Sequence, residues 1–359
     1  MEQIESLEDL IFFLRSKRWN EIIAKDLDGF YDYLEEKFSS RRNYPDRTIK
    51  EEFIKYLQGV YGLHTKKDQT EEEKQKNDTK FKEYLGIAET VVTTSKEPSD
   101  DKILVIVGGQ SGAGKSRLIT SANRELNNNA VVVDFDELRR LHPNYTSVNK
   151  NYPEWTHRIL HPDTEEVKNK VLDSVMADGY NVIYEGALRN TDGFLDFARK
   201  FQNYDYNIKM KIMAVPKLES YGSTFFRYAI DLLSNKTPRW VEKSAHDGSY
   251  DGVIRTTDAF ISEKLSTDIS VYVRSSDEPR KIYSTCEHQF PNAIAAIKAG
   301  REFGRRQAVK DFSDKYQMVE NAFKSKEPKL LDSLGDWKDL YRQEKEYVEV
   351  YDNQKEKGI

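Results

Sequence analysis

The chain has 359 residues, of which 38% are hydrophobic and 33% are charged. This length favours two domains, or one large domain with appendages, and 12% aromatic residues can supply a core, which excludes a wholly disordered chain. The net charge of -5 argues against a globally basic nucleic-acid-binding protein. The single cysteine, Cys286, excludes a disulfide framework and a cysteine-based zinc site.

The chain also has no apolar run that approaches the ~20 residues of a membrane-spanning helix. Its acidic start is unlike the basic start of a signal peptide. We therefore expect a cytoplasmic protein without a membrane or nucleic-acid partner.

Residues 1–95 are predicted to form an all-helical bundle. Apolar residues recur at helical spacing in three stripes, within 7–14, 22–38 and 49–61. Thr48 is followed three residues later by Glu51, a capping-box pattern that predicts the start of the third helix. A charged connector and an exposed linker separate this bundle from the next region.

Short apolar segments rich in β-branched residues alternate with helical patterns from residue 103 to residue 273. These segments lie at 103–107, 130–133, 181–184, 208–215 and 269–273. Such alternation predicts an α/β domain with a parallel sheet flanked by helices, which we place at 96–286. The remaining residues, 287–359, are predicted to form a C-terminal helical extension.

A phosphate-binding loop follows the first predicted strand. Residues 109–116 match the pattern GxxxxGK[ST] in full, between a strand and a helix, which is the context that this motif requires. Glycines let backbone N–H groups converge on phosphate oxygens, Lys115 reaches the β- and γ-phosphates, and the Ser116 hydroxyl can hold Mg²⁺. With ATP and Mg²⁺ as cofactors, the expected nucleotide-binding residues are Gly109, Gln110, Ser111, Gly112, Ala113, Gly114, Lys115 and Ser116.

Carboxylates that follow the next two strands favour a kinase over a GTPase or a motor protein. Asp134 and Asp136 follow the second strand, where a small-molecule kinase needs a base for the proton of the attacking hydroxyl. Asp136 is the preferred base, and an acidic helix cap is the alternative for both residues. Glu185 ends the third strand in the same crevice, where it could position the acceptor hydroxyl or a metal-bound water, or cap a helix.

A polar segment after the fourth strand, residues 235–252, has the composition of a lid. Cations that close over the γ-phosphate stabilise the charge of the transition state, and Arg239 and Lys243 are the candidates. An ordinary solvated loop is the alternative. His246 lies beside Asp247, but we expect it to be structural and not the base.

In this order along 103–285, the motifs resemble the zeta toxin family, the kinase half of bacterial toxin–antitoxin systems. The fold that this resemblance implies is a P-loop kinase-like parallel sheet. The matching strings are Gly108-Gly109-Gln110, Asp136 with His142-Pro143-Asn144-Tyr145, Tyr184-Glu185-Gly186 with Arg189 and Thr191-Asp192, Met213-Ala214-Val215-Pro216-Lys217 with Ser220-Tyr221 and Arg227-Tyr228, and Arg239 with Lys243 and Ala245-His246-Asp247.

The resemblance implies that ATP and Mg²⁺ are used to phosphorylate the 3′-hydroxyl of the sugar of UDP-N-acetylglucosamine, which blocks cell-wall synthesis. It implies that Asp136 is the general base, Lys115 the phosphate lysine and Arg239 a catalytic lid arginine. Arg255 is a loose candidate, by spacing, for a second lid arginine. The residues that it implies for the sugar-nucleotide substrate are Glu185, Arg189, Thr191 and Asp192.

Two other functions stay open at this point. Ala187 and Leu188 depart from the smaller or polar residues expected beside the sugar. The first alternative is a P-loop kinase for another hydroxyl, such as that of a nucleoside, a dinucleotide or a polynucleotide 5′ end. The second is an NTP-gated interaction protein.

The predicted N-terminal bundle has no counterpart in the family pattern, in which the toxin begins close to its first strand. Family toxins are held by a separate small helical antitoxin of similar size. The resemblance therefore implies that residues 1–90 act as an inhibitor in cis, with a folding or oligomerisation appendage as the alternative.

Overall fold

The computed structural model describes residues 29–30, 33, 46–61, 70–152, 155–234, 236, 238–287 and 289–356. The first predicted helical stripe, most of the second and part of the charged connector lie outside these residues. The chain divides into two compact units. Unit 1 is Met1–Val91 with Phe135–Val171, and unit 2 is Val92–Asp134 with Leu172–Ile359.

The helices and strands are α1 Asp46–Val60, α2 Glu71–Thr93, β1 Ile103–Gly108, α3 Lys115–Glu125, β2 Ala130–Val133, α4 Phe135–Arg140, α5 Tyr145–Asn151, α6 Thr156–Ile159, α7 His161–Ala177, β3 Asn181–Gly186, α8 Thr191–Gln202, β4 Asn207–Met213, α9 Lys217–Leu233, α10 Lys243–Ser262, β5 Asp268–Val273, β6 Arg280–Ser284, α11 Ala293–Phe303, α12 Arg305–Lys326, a 3₁₀ helix Pro328–Leu334, and α13 Gly335–Glu356. None of these described helices combines the length and the apolar character that crossing a bilayer requires.

Unit 2 is built on a sheet whose described strands run in the order β2-β3-β1-β4-β5-β6. The strands from β2 to β5 pair in parallel, and β6 is antiparallel to β5. The predicted α/β architecture is therefore confirmed. The sequence analysis did not predict β6, because Arg280 and Lys281 begin it and are exposed, so this edge strand lacks the continuous apolar pattern of a buried parallel strand.

The predicted C-terminal helices pack on α9 within unit 2. Trp337 of α13 is 1% exposed, lies parallel to the Phe225 ring and is edge-on to Phe312 of α12. A Cβ atom on Gly222 would lie 2.4 Å from the Trp337 indole, so only glycine lets α9 and α13 approach this closely. These helices therefore share a core with the kinase sheet unit.

In unit 1, α1 and α2 pack against the helices that follow β2 in the chain. Phe53 of α1 is fully buried and edge-on to Tyr152 and Trp155. Tyr84 of α2 donates a hydrogen bond to the carbonyl oxygen of Leu138 in α4, at 2.8 Å. Unit 1 thus combines described residues of the predicted N-terminal bundle with residues 135–171, which the sequence analysis assigned to the kinase domain.

Candidate active site

The phosphate-binding loop connects β1 to α3, as its motif predicts. Gly112 and Gly114 have φ values of +74° and +88°, in the left-handed region that favours glycine. A Cβ atom on Gly112 would lie 2.0 Å from the carbonyl oxygen of Ser220. The loop therefore packs against the first turn of α9 in a way that a larger residue would prevent.

Lys115 begins α3 and is only 8% exposed. Its Nζ donates to the carbonyl oxygens of Gly109, at 2.8 Å, and Gln110, at 3.2 Å. It also lies 3.3 Å from Oε1 of Glu185, the residue before the last of β3. Lys115, which follows β1, and Glu185, on the neighbouring strand β3, thus meet directly at the carboxyl end of the sheet.

The described charged groups that act on Lys115 are of both signs, with Glu185 on one side and Arg227 and Arg239 on the other. Burial lowers the pKa of Lys115, the Glu185 carboxylate raises this pKa, and the charges of Arg227 and Arg239 lower it again. A bound anion would stabilise the charged lysine. The electrostatics of this site therefore suit a phosphate group.

The Gln110 side chain holds the loop in place. It is fully buried, and its Nε2 donates to the carbonyl oxygen of Val215, at 2.9 Å, and to Oγ of Ser220, at 3.1 Å. The Gln110 side chain thus joins the loop to the β4–α9 connection, and its predicted role in nucleotide binding stays a prediction.

Ser220 continues this network to His246 and Asp247 on α10. Oγ of Ser220 lies 2.9 Å from Nε2 of His246, whose Nδ1 lies 3.3 Å from Oδ1 of Asp247. Burial lowers the pKa of His246 to about 4, so its imidazole is neutral at neutral pH. Ser220 and His246 are fully buried, so this Ser–His–Asp arrangement has no access to a substrate. It connects the phosphate-binding loop to α10.

Asp247 receives two cations at the start of α10. Lys217 lies 3.0 Å from one carboxylate oxygen and Lys243 lies 2.8 Å from the other. Burial raises the pKa of Asp247, but the hydrogen bonds from Lys243 and Lys217 outweigh burial and bring the pKa to about 2. Lys243, a predicted lid residue, is thus held by a partner one turn along its own helix.

The predicted lid is helical over much of its length. Residues 243–252 form the first half of α10, and the irregular part ends at Glu242. Arg239 lies in the irregular part and is exposed, whereas Arg255 is exposed on α10, three turns beyond Lys243. This helix was not predicted, because 243–252 has few apolar residues. Its inward-facing, buried positions are occupied by small and polar residues such as Ser249.

The residues expected at the acceptor side lie along the β3–α8 connection. Glu185 is the residue before the last of β3, Arg189 is exposed, and Asp192 is exposed in the first turn of α8. The hydroxyl of Thr191 lies 2.9 Å from that of Thr256 on α10. The structure therefore places these predicted residues on one connection but engages Thr191 with a neighbouring helix.

Leu188 fixes this connection against α10. It is buried with φ of +52°, and its carbonyl oxygen accepts a hydrogen bond from Thr256 at 2.9 Å. A Cβ atom on Gly252 would lie 2.4 Å from the same oxygen. The departure from the family pattern at Leu188 therefore has a packing role.

The preferred base, Asp136, belongs to unit 1. It lies in the first turn of α4, directly after β2, and its carboxylate is 2.6 Å from Arg139. Asp134, the other candidate, is exposed and is the last residue of the first segment of unit 2. The remaining predicted site residues belong to unit 2.

Arg274 is a site residue that the sequence analysis missed. Its guanidinium donates to the carbonyl oxygen of Gly112, to Glu219 at 2.8 Å and to Ser223 at 3.1 Å. It therefore holds the phosphate-binding loop and α9 together. Its position directly after β5, at the carboxyl edge of the sheet, is the signal that could have found it.

Comparison with known proteins identifies the family. A family model described as Zeta toxin matches residues 88–287. The chain belongs to the zeta toxin family. Toxin zeta of Streptococcus agalactiae is 30% identical over 60% of this chain and 74% of that protein, and Toxin zeta of Streptococcus pyogenes is 27% identical over 68% and 83%.

A solved structure agrees with this family assignment at the level of fold. The structure described for the PezAT chromosomal toxin–antitoxin system of Streptococcus pneumoniae has a TM-score of 0.60 at 23% identity, over 71% of this chain and 98% of that chain. The P-loop kinase-like fold and the predicted family resemblance are confirmed. This zeta toxin is a kinase-like phosphotransferase of the toxin–antitoxin class.

Proposed function

We propose that this zeta toxin uses ATP and Mg²⁺ to phosphorylate the 3′-hydroxyl of the sugar of UDP-N-acetylglucosamine in the cytoplasm, which blocks cell-wall synthesis. The observation that carries the proposal is the phosphate-binding loop, with Lys115 and Glu185 in contact and with the charges of Arg227 and Arg239 acting on the lysine. The acceptor itself comes from the family resemblance.

The residues present fit ATP with Mg²⁺. Gly112 and Gly114 keep the left-handed conformations that the loop needs, and Lys115 lies at its base. Ser116 is exposed at the start of α3, where its hydroxyl would hold the cation. Bound Mg²⁺ neutralises charge on the β- and γ-phosphates.

Several of the predicted site residues have a role in this mechanism. Asp136 accepts the proton of the attacking sugar hydroxyl, and Arg239 stabilises the charge of the transferring phosphoryl group. A bound phosphate competes with Glu185 for Lys115. Glu185 is then free to accept a hydrogen bond from the sugar. Arg189 and Asp192, both exposed, supply polar contacts to the rest of the substrate.

The test is ³¹P NMR of ATP and UDP-N-acetylglucosamine with the purified full-length chain. We expect a new sugar-phosphate resonance, and Lys115→Ala, which removes the phosphate-binding cation, is expected to abolish it. A resonance only with a nucleoside, a dinucleotide or a polynucleotide 5′ end would assign another acceptor. No transfer to any acceptor by the full-length chain or by its Tyr84→Phe variant, with ATP binding intact, would favour an NTP-gated interaction protein.

We further propose that residues 1–90 restrain the kinase in cis. In support, α1 and α2 pack on the helices that carry and follow Asp136, with Tyr84 bonded to Leu138 on the same short helix as the base. Tethering raises the effective concentration of an inhibitor to the order of mM, so weak contacts would be enough. An antitoxin in trans is the alternative, since the similar PezAT structure of Streptococcus pneumoniae belongs to a toxin–antitoxin system.

Removing the Tyr84 hydroxyl of α2 can distinguish whether the N-terminal helices inhibit the kinase or only stabilise α4. Tyr84→Phe removes its hydrogen bond to α4, worth about 1 kcal/mol, and retains the ring. If the N-terminal helices restrain the kinase, the rate of phosphoryl transfer rises, and if they only support α4, the rate falls. Thr79→Ala on the same helix is the control, because among the described residues the Thr79 hydroxyl bonds only to the Gln75 carbonyl oxygen of its own helix.

A further inference from the structure

Trp240 anchors the irregular part of the lid to an aromatic cluster on α9. Its ring is edge-on to Phe225, with centroids 5.5 Å apart, and to Tyr228, with centroids 5.4 Å apart. Arg239 precedes it directly and is exposed, and its charge acts on Lys115. Because consecutive Cα atoms are ~3.8 Å apart, a fixed Trp240 ring limits the positions that Arg239 can take.

The C-terminal helices form the other side of the same cluster. Trp337 of α13 lies parallel to Phe225, with centroids 5.4 Å apart and planes 19° apart. Phe312 of α12 is edge-on to Trp337 at 5.2 Å and stacks on Tyr341 at 3.9 Å. The support for Trp240 therefore extends from α9 into helices beyond residue 287, where the family model ends.

A second contact joins the C-terminal helices to α10. Arg301 of α11 is 5% exposed, and it donates to the carbonyl oxygen of Tyr250 at 2.6 Å and lies 3.6 Å above the Tyr250 ring. A buried guanidinium is costly unless it is partnered, so this contact is specific. The C-terminal helices therefore contact the helical part of the lid directly and reach its irregular part through Phe225 of α9.

We infer that α11, α12 and α13 are the positioning element of the lid, and that Trp337, through Phe225 and Trp240, holds Arg239 in its catalytic position. This inference rests on the proposed role of Arg239. Trp337 and Trp240 touch no reacting atom in this scheme and are positioning residues. The C-terminal helices thereby contribute to the rate of phosphoryl transfer as well as to the core.

A double-mutant cycle on the full-length chain tests this coupling. ATP turnover is measured for Arg239→Ala, Trp240→Ala and the double variant, with and without UDP-N-acetylglucosamine. The measurement without the sugar nucleotide gives the coupling even if the acceptor is a different molecule. We expect Arg239→Ala to lower kcat by roughly 10²–10³-fold, as for other groups that stabilise transition-state charge. Trp240→Ala should lower kcat by roughly tenfold with little change in KM for ATP, because the lost contact acts in the transition state. It should have no further effect in the Arg239→Ala background.

Substitutions of Trp337 test the remote end of the cluster. Trp337→Ala should reduce kcat in the same way as Trp240→Ala. Trp337→Phe should retain it, because the ring remains and the indole Nε1 has no hydrogen-bond partner among the described residues. Phe303→Ala is the matched control, since Phe303 of α11 is 68% exposed and contacts Arg280, outside the cluster.

The outcomes separate the inference from the proposed function. A loss from Trp240→Ala that is equal in both backgrounds, or a change in KM alone, overturns the inference. If Arg239→Ala leaves kcat unchanged, the proposed role of Arg239 fails and the inference fails with it. Thermal unfolding of each variant identifies a folding defect, and if Trp337→Ala does not fold, the Trp240 cycle and Trp337→Phe decide.

Discussion

Asp136 lies in the first turn of a short helix with its carboxylate against Arg139, a geometry that serves both a base and a helix terminus. Asp136→Asn keeps the shape and removes the proton-accepting charge. We expect ATP binding to persist and phosphoryl transfer to fall by roughly 10²–10⁴-fold, the usual contribution of a general base. Calorimetry with ATP and single-turnover kinetics measure the two quantities. Unchanged turnover would move the base to Asp134 or Glu185.

Arg274 makes a separate prediction about ATP binding. Arg274→Lys cannot reach the loop carbonyl of Gly112 and the Glu219 carboxylate together, because a lysine offers one point charge in place of a planar fork. We expect KM for ATP to rise by about tenfold while the fold persists. Arg124→Lys on α3 is the control, because its pair with Glu278 is exposed. Equal effects of the two substitutions would contradict a role for Arg274 at the loop.

His246 predicts how the stability of the fold depends on pH. Its pKa falls from 6.5 to about 4 on folding because burial disfavours the charged imidazole. The unfolded chain therefore binds a proton at His246 more readily than the folded chain does. The contribution of His246 to the free energy of unfolding is complete above pH 6.5 and declines as the pH falls towards 4. This lowering of the pKa corresponds to a loss of about 3 kcal/mol in the free energy of unfolding once the pH is below both pKa values.

Urea unfolding between pH 7 and pH 4 measures this effect. His246→Asn removes the titrating group, so its stability should change less over this range than that of the parent chain. The Asp247 carboxylate adds a loss only at lower pH, since its pKa is about 2 in the fold. Parallel pH profiles for the parent chain and the variant would contradict the assignment.

At the scale of elements, the helix α10 depends on a glycine. A Cβ atom on Gly252 would lie 2.4 Å from the carbonyl oxygen of Leu188 and 2.9 Å from the Arg189 Cα, both backbone atoms. Gly252→Ala should therefore separate α10 from the β3–α8 connection and destabilise the chain by about 1–3 kcal/mol. Gly86→Ala on α2 is the matched control, because no described atom beyond the backbone of its own helix lies within 4 Å of its Cβ position. The control should stabilise the chain by about 0.5–1 kcal/mol, and thermal unfolding compares the two.

The elements that were predictable from sequence are those whose pattern is local. The segment that forms β1 is a continuous apolar run, and the phosphate-binding loop is one contiguous motif, so both were predicted. The contacts of Arg274 with Gly112 and of Gln110 with Val215 join residues more than 100 positions apart, which no local pattern contains. The helix at Lys243–Ser262 was missed because much of its buried side is polar or small: Thr256, for example, donates its hydroxyl to the carbonyl oxygen of Leu188.

At the scale of the whole molecule, the N-terminal helices share unit 1 with residues 135–171. Their helical character was predicted at the described α1, because its apolar stripe has helical spacing. The residues that these helices pack against were not predicted, because Phe53 contacts Trp155, which lies about one hundred residues later in the chain. The assignment of residues 1–95 as a separate inhibitory domain stays a prediction, and the Tyr84 substitution tests it.

Unit 1 is discontinuous in sequence, and this sets an order on its synthesis. Once residue 171 has left the ribosome, every residue of unit 1 has been made. At that moment β1 still lacks both neighbouring strands, because β3 and β4 begin at Asn181 and Asn207. Domains generally fold as units during synthesis, in N-to-C order. A nascent toxin therefore completes the unit that holds its N-terminal helices before it can assemble a sheet able to bind ATP.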